Sequence, residues 1–384
     1  MTEVHEATAV ERGDWDALAV DAPGGHVYQS LAWADQRAAS GWSPRFLVTS
    51  DGAPVLALER PWPMVGGSSA YLPRGPVAGG GPVTAADAGA AAGGGTDLGA
   101  LLARRLIEVS ERLAADGVDV VAADPEVPAA DPSYAAAINA AGFTPIEEIQ
   151  PSRHRIALPL EPGADETAVF EAVSKSTRQR IRSAERGGVA IVRHDRRVAG
   201  GPGEGFVAPT EPSEVALDRF YDLLGETGER RHFGFGPRER FVPWWVAALR
   251  AGHLVYLEAR EATASGAVLA GLVLYRHGGR LSTVHSGDHE ASRSSHPGAL
   301  HLLRWRAIQL AIRERCDEMD LGGVDVAGAR REPVEGEPMY GLYQHKRSFG
   351  GRWVELTGAH ERVVDGRGYA LGRAAMRMGR LLRR

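Results

Sequence analysis

The chain is 384 residues long, with 49 acidic and 44 basic side chains, a net charge of -5 and a 43% apolar composition. That length exceeds what one simple core covers and predicts two domains. The acidic balance excludes nucleic-acid binding over the whole surface, so any RNA contact must be a local basic patch. Its single cysteine, Cys316, rules out an internal disulfide, a thiolate zinc cluster and a CxxC redox pair, and its place in an amphipathic stretch marks it as a small apolar filler. The acidic N-terminus holds no apolar core segment and no apolar run is long enough to span a bilayer, so the expectation is a cytoplasmic protein without a signal peptide.

In chain order, Glu11–Val20 has a helical apolar face of Trp15, Leu18 and Ala19. Ser30 is placed to cap a second helix, Leu31 to Ala39, that carries Trp33 and Arg37. Strands are expected at Arg45–Ser50 and Val55–Pro61. The run Tyr71-Leu72-Pro73-Arg74-Gly75-Pro76-Val77 comes next, and its prolines fix the backbone and hold Arg74 in one place. Residues 78–97 are rich in Gly and Ala but follow neither the dinucleotide nor the Walker spacing, which reads as a surface loop rather than a phosphate cradle. Helix Leu98–Asp116 leads to strand Val118–Ala123, which ends at Asp124-Pro125-Glu126. A carboxylate at such a strand end either orients an amine or caps a turn. A helix over 132–142 and a strand starting at Gly142-Phe143-Thr144-Pro145 close a first helix–strand alternation.

A similar alternation opens with strand Arg153–Leu158. Phe170–Arg186 is predicted as one helix, stopped by Gly187-Gly188, with Lys175, Arg178, Arg182 and Arg186 as a basic stripe. Strand Val189–Arg193, a Gly/Pro-rich insertion over 199–213 and a helix from Glu214 to Thr227 follow. The next run holds Arg230, Arg231 and Arg238, and the helix after it carries Trp244 and Trp245 as core. Leu254–Arg260, Val268–Arg276 and Leu281–Ser286 read as three antiparallel strands. His285, Asp288, His289 and His296 gather after the third without a defined ligand set, so no metal site is assigned. Pro297–Arg315 is a long helix with Leu300, Leu303, Trp305, Ile308 and Ile312 apolar. A short strand then ends in Leu321 and turns at Gly322-Gly323; a polar loop leads to Gly341-Leu342-Tyr343-Gln344-His345-Lys346-Arg347-Ser348-Phe349-Gly350-Gly351 and strand Arg352–Glu355. Glycine pairs let a backbone approach a ligand closely, and a cation held there can face a reacting carbonyl or a phosphate. The last helix, Gly368–Arg384, sets Arg373, Arg377, Arg380 and Arg384 opposite Leu371, Ala375, Met378 and Leu382. Its apolar stripe is expected to dock on the protein, and its basic stripe to meet tRNA, anionic lipid headgroups or only solvent.

These motifs, in this order, resemble the FemABX family, whose members transfer an amino acid from aminoacyl-tRNA to a peptidoglycan precursor. The family's signature is a strand ending in a Gly pair and then Gly-Leu-Tyr-x-Phe-Lys-x-x-Phe-Gly-Gly. Lys346, Phe349, Gly350 and Gly351 match it, and His345 replaces the aromatic residue before the lysine. Gln29, Ser30, Trp33 and Arg37 resemble Gln-Ser-x-x-Trp-x-x-x-Lys, with an arginine fork in place of the final lysine. Tyr71–Val77 is similar to the family's Tyr-x-Pro-Arg-Gly-Pro-Val, and Pro297–Ile308 to its Pro-x-x-Leu-Leu-x-Trp-x-Ala-Ile. The resemblance implies an α/β fold of two GNAT-like (acyl-CoA N-acyltransferase-like) units in tandem with a cleft between them. The first would cover 1–160, completed by 351–384, and the second 161–350. No sustained heptads mark the coiled-coil arm of some members, so the compact form is expected.

The implied reaction is attack of a substrate amine on the ester carbonyl of aminoacyl-tRNA, which forms a peptide bond in a wall cross-bridge. It needs neither a covalent enzyme intermediate nor ATP nor a metal, so no cofactor is expected, in keeping with the lack of GxSxG, Cys/His and Walker motifs. By resemblance Lys346 stabilises the oxyanion and Asp124 assists in catalysis. Arg37, Arg74, Arg230, Arg231, Arg238, His285, Tyr343 and His345 would hold the precursor, and Lys175, Arg178 and Arg182 the tRNA. A monomer is expected, meeting aminoacyl-tRNA, a lipid II or nucleotide-linked precursor, and the inner membrane face. Three other readings stand beside this one. The first is transfer to a small natural-product amine. The second is an acyl-CoA-dependent N-acetyltransferase, whose pyrophosphate loop Arg367–Gly372 misses by Ala370. The third is a non-catalytic tRNA- or membrane-binding module.

Overall fold

The computed structural model describes residues 3–79, 97–150, 153–161, 163–198, 201–231, 233–324 and 331–381. Most of the Gly/Ala-rich run at 78–97, and Leu382 and Arg384 of the last helix, lie outside them. The chain divides into two compact units, Met1–His154 with Val354–Arg384, and Arg155–Trp353. Each is built on its own seven-stranded sheet, an α/β architecture as the sequence predicts.

The first unit holds β1 (His5–Glu6), α1 (Ala9–Gly13), α2 (Leu31–Ala38), β2 (Ser43–Val48), β3 (Pro54–Pro61), β4 (Ser68–Leu72), α3 (Leu98–Ala115), β5 (Val118–Ala123), α4 (Pro132–Ala140) and β6 (Thr144–Pro145). It also receives the chain's last elements, β14 (His360–Val363) and α12 (Gly366–Leu381). The strand order is β1-β2-β3-β4-β5-β14-β6. Only β4 and β5 run parallel among its paired strands, with Ala70 opposite Val121 and Leu72 opposite Ala123, and α3 makes the crossover between them. Asp97 caps α3 by accepting from the Ala100 N–H, and Leu102, Leu106, Val109 and Leu113 bury its inner stripe. The predicted helix Glu11–Val20 is broken. A Thr8–Glu11 capping box starts α1 early, it stops at Gly13, and a wide turn follows over Ala17–Asp21. Trp15 is buried, but Leu18 faces outward.

The second unit holds β7 (His154–Pro159), α5 (Glu166–Ala172), α6 (Lys175–Arg186), β8 (Val189–His194), α7 (Ser213–Arg231), α8 (Arg238–Arg250), β9 (Leu254–Glu261), β10 (Val268–His277), β11 (Arg280–Asp288), α9 (Ser292–Ser295), α10 (Ala299–Arg313), β12 (Glu318–Asp320), α11 (Tyr340–Arg347) and β13 (Arg352–Glu355). Its order is β13-β7-β12-β11-β10-β9-β8. Here β11 runs parallel beside β12, with Ser282 opposite Asp320, and α10 is the crossover. The predicted helix Phe170–Arg186 is two helices, because Val173 is extended and the Ser174 hydroxyl caps α6 on the Thr177 N–H. α7 runs on through Arg230 and Arg231, which are helical rather than loop residues. Trp244 and Trp245 are buried as expected, and partly buried Cys316 packs against the core.

Candidate functional site

In the second unit the chemistry gathers where β12 ends and β11 continues. Beyond Thr283 the register of β11 on β10 skips Val284, a bulge that sets Thr283 apart from His285. Gly322 turns the chain there at φ +74; a Cβ on it would lie 2.7 Å from the Thr283 carbonyl and 3.2 Å from the Lys346 Nζ. Only glycine fits that position. Lys346 reaches it from the last turn of α11 and donates to the Gly323 carbonyl at 2.5 Å. Its side chain is 6% exposed, so it is no surface lysine. Burial, helped by the nearby Arg304 and opposed by Asp320, lowers its pKa to about 7.

Arg304 lies on the inner face of α10, 1% exposed. Its guanidinium donates weakly to the Thr283 hydroxyl at 3.4 Å, its Nε has no hydrogen-bond partner, and burial lowers its pKa to about 10. His301, one turn earlier on α10, meets the His345 ring edge-on at 4.6 Å. Burial and then the neighbouring cations push His301 down to about 4 and His345 well below its ordinary value, so both stay neutral. The His345 Nε2 is buried without a partner. These rings border an open pocket of about 480 Å3 whose other walls include Ser174, Thr177, Arg180, Gln344 and Arg347. The lining has hydroxyls, imidazoles and two arginines and no carboxylate, at the N-terminal end of α6, an arrangement suited to an anion. A separate cavity of about 180 Å3, beside Arg219 and Tyr256, contains none of the expected site residues.

In the first unit the corresponding place, the end of the parallel pair β4/β5, carries Arg74 and Asp124. Arg74 adopts φ +53, which turns its backbone N–H onto the Asp124 carboxylate at 2.8 Å. The Tyr71 hydroxyl donates to the same carboxylate at 2.9 Å, and the Arg74 guanidinium lies 3.7 Å away. Burial raises the Asp124 pKa to about 6 against the pull of Arg74. Burial opposes the Arg74 charge, but Asp124 and Glu126 outweigh it and hold the arginine charged. The Asp124 carboxylate thus holds the Arg74 turn through the Tyr71 hydroxyl and the Arg74 N–H. Gln29 braces the same turn, accepting from the Leu56 N–H at 2.7 Å and donating to the Pro73 carbonyl at 2.8 Å. From Tyr28 an aromatic ladder leads outward: Tyr28 stacks on Trp33 at 4.4 Å, and the Arg37 guanidinium lies 5.4 Å from both Trp33 and Trp42. Arg37 thus stands at the outer end of this ladder, and Arg74 beside Asp124, both in the first unit.

Other expected site residues are placed differently. Arg238 pairs with Asp218 at 2.6 Å and with Asp222, and sits over Tyr221, so it is committed within its own unit. Arg230 donates to Asp288 at 2.6 Å, Arg293 takes the other Asp288 oxygen, and Arg231 is exposed. His289 pairs with Glu226, which separates the His/Asp group noted in the sequence. His285 is boxed by Phe241 and Trp245, and burial lowers it to about 4. Tyr343 is buried and donates to Glu332. Of the basic stripe on α6, Lys175 and Arg182 are exposed, while Arg178 donates back to the Glu171 carbonyl across the helix break. The arginine of α6 that lines the pocket is Arg180, which the stripe spacing did not select. Arg304 was also missed, although a charged residue among Leu302, Leu303, Trp305, Ala307 and Ile308 was a usable signal. The near-miss pyrophosphate run Arg367–Gly372 is helical, with Gly368 and Gly372 against protein.

Residues 173–347, most of the second unit, match the family model described as an acetyltransferase (GNAT) domain. No curated protein matches the sequence. Among solved structures, that of FemX superposes with a TM-score of 0.73 at 16% identity, covering 96% of this chain and 99% of that one. A conserved protein of unknown function from Bacteroides thetaiotaomicron VPI-5482 superposes at 0.50 with 14% identity over 94% and 99%. The chain therefore has a FemX-like fold built of GNAT-like units.

Proposed function

We propose that this chain, which has the fold of FemX, transfers an amino acid from aminoacyl-tRNA to an amino group of a peptidoglycan precursor. The observation that carries this reading is Lys346, a buried ammonium with pKa about 7 held under the Gly322–Gly323 turn. The acyl ester is already activated, so a positioned amine and a cation for the developing oxyanion are enough. Lys346 supplies that charge, and Arg304 and Thr283 fix its surroundings. The carboxylate-free pocket between α6 and α11 supports a place for phosphates of the tRNA acceptor end, with Arg180 and Arg347 as contacts. Arg37 and Arg74, both cations of the first unit, are the contacts assigned to the precursor's phosphates.

The test is transfer from a pool of charged tRNAs to lipid-linked, nucleotide-linked and small-amine acceptors, read by mass spectrometry, with acetyl-CoA as a parallel donor. Expected is an aminoacyl adduct on a wall precursor in EDTA without ATP. Lys346→Ala should lower kcat by about 10²–10³ with KM nearly kept, as for loss of one oxyanion donor. Acetyl transfer with no aminoacyl adduct would instead favour the acyl-CoA reading that the GNAT match also permits. Near-normal kcat in Lys346→Ala would refute the role given to this lysine.

A further inference from the structure

The last helix presents a face that the proposed reaction does not use. α12 rests on the first unit through small residues. A Cβ on Gly372 would fall 2.2 Å from the Trp62 ring, one on Gly368 2.4 Å from the Asp119 carboxylate, and Ala375 is 1% exposed. Turned away from this contact are Leu371 and Met378, 60% and 51% exposed, with exposed Ala374 between them. Their i, i+3, i+7 spacing makes them one outward stripe. Arg367, Arg373 and Arg377 are exposed along its flanks. In a chain of net charge -5, residues 366–384 hold six arginines and no carboxylate. Met64, on the turn that also carries Trp62, is 75% exposed.

Arginines alone would suit RNA as well as lipid. Large apolar side chains outside the protein gain nothing from a phosphodiester backbone, whereas the boundary between headgroups and acyl chains accepts both groups at once. Among the described residues no helix is long and apolar enough to cross a membrane, so such a contact would lie in the plane of the surface. We propose that α12 is a peripheral anchor: it lays Leu371 and Met378 into the boundary layer of an anionic bilayer and sets Arg367, Arg373 and Arg377 on lipid phosphates. This holds whatever the acceptor is, and it would keep the enzyme at the surface where a lipid-linked acceptor resides.

The experiment is sedimentation of the full chain with vesicles of phosphatidylcholine alone, or with phosphatidylglycerol added, over a salt series. Expected is pelleting with the anionic vesicles only, weakening as salt rises. Each basic side chain near such a surface contributes about fivefold in partition, so Arg373→Gln with Arg377→Gln should weaken it by tens of fold. Leu371→Ser with Met378→Ser should also weaken it at unchanged charge. In Leu371→Trp the indole emission should shift to the blue on anionic vesicles. These side chains are exposed, and unchanged melting of each variant confirms that the fold is kept. No pelleting with anionic vesicles, or full partition of the Leu371/Met378 double variant, overturns the proposal. So does a fall in tRNA affinity, without a fall in vesicle binding, when the arginines are neutralised.

Discussion

Lys346 and Arg304 are two cations buried side by side, and the fold bears a cost for keeping them. The Lys346 pKa of about 7 lies below the ordinary 10.5 of an exposed lysine. Unfolded chains therefore hold that proton more tightly, and the penalty is full below pH 7, shrinks as pH rises toward 10, and vanishes when the amine is neutral in both states. Lys346→Met should accordingly raise Tm at neutral and acidic pH, with an advantage that fades through the alkaline range. A lower Tm at pH 6 would argue that the Gly323 hydrogen bond outweighs the buried charge. The same titration bears on activity. If the ammonium is the working form, kcat gained from Lys346 should decline as pH rises through about 7, a limb that Lys346→Ala should lack.

At the scale of elements, the joint between α6 and the start of α10 sets the pocket. Gly298 adopts φ +104, and a Cβ there would lie 2.2 Å from the Arg180 carbonyl. Close backbone approach brings His301 against the α6 arginine and the α11 imidazole. Gly298→Ala would force a non-glycine residue into the left-handed region and push the helices apart. A loss of about 1–3 kcal/mol from the backbone alone is expected, measured as a shift of the denaturation midpoint, with more from the clash. Under the proposed function it should also weaken tRNA binding, while Arg37 and Arg74, in the other unit, should bind precursor as before. Unchanged stability would mean that α10 has another way to begin.

At the scale of the whole molecule, the first unit is closed by chain from the far end of the sequence. β14 lies between β5 and β6, with His360 opposite both Ala123 and Pro145, and α12 covers Trp62. Deleting residues 357–384 removes an interior strand of that sheet and leaves β5 with an unpaired edge. The second unit, a continuous segment with its own core, loses nothing from its sheet. The expected result is a truncated chain in which one cooperative transition persists and the amides of the first unit lose exchange protection. Retained protection in β2 to β5 would show that the strand is dispensable.

What the sequence determined by itself was local. The Ser30 cap, the strands around Val55 and Val268, buried Trp244 and Trp245, and the turn that carries Arg74 follow from spacing, capping chemistry and turn residues within a few positions. The order of those motifs also sufficed to anticipate tandem α/β units. Tertiary structure decided which charge is buried and which face of a helix is covered. Arg178 and Arg180 are indistinguishable by composition, yet one ties back to Glu171 and the other lines the pocket. Leu371 and Met378 have the spacing of a docking stripe, but Gly368 and Gly372 allow Trp62 and Asp119 closer on the opposite side, so the large side chains are left outside. Lys346 reads as a turn lysine until β11 and β12 part and Arg304 closes in behind it. Burial depends on what stands across the gap, and that neighbour comes from a distant part of the chain that periodicity cannot specify.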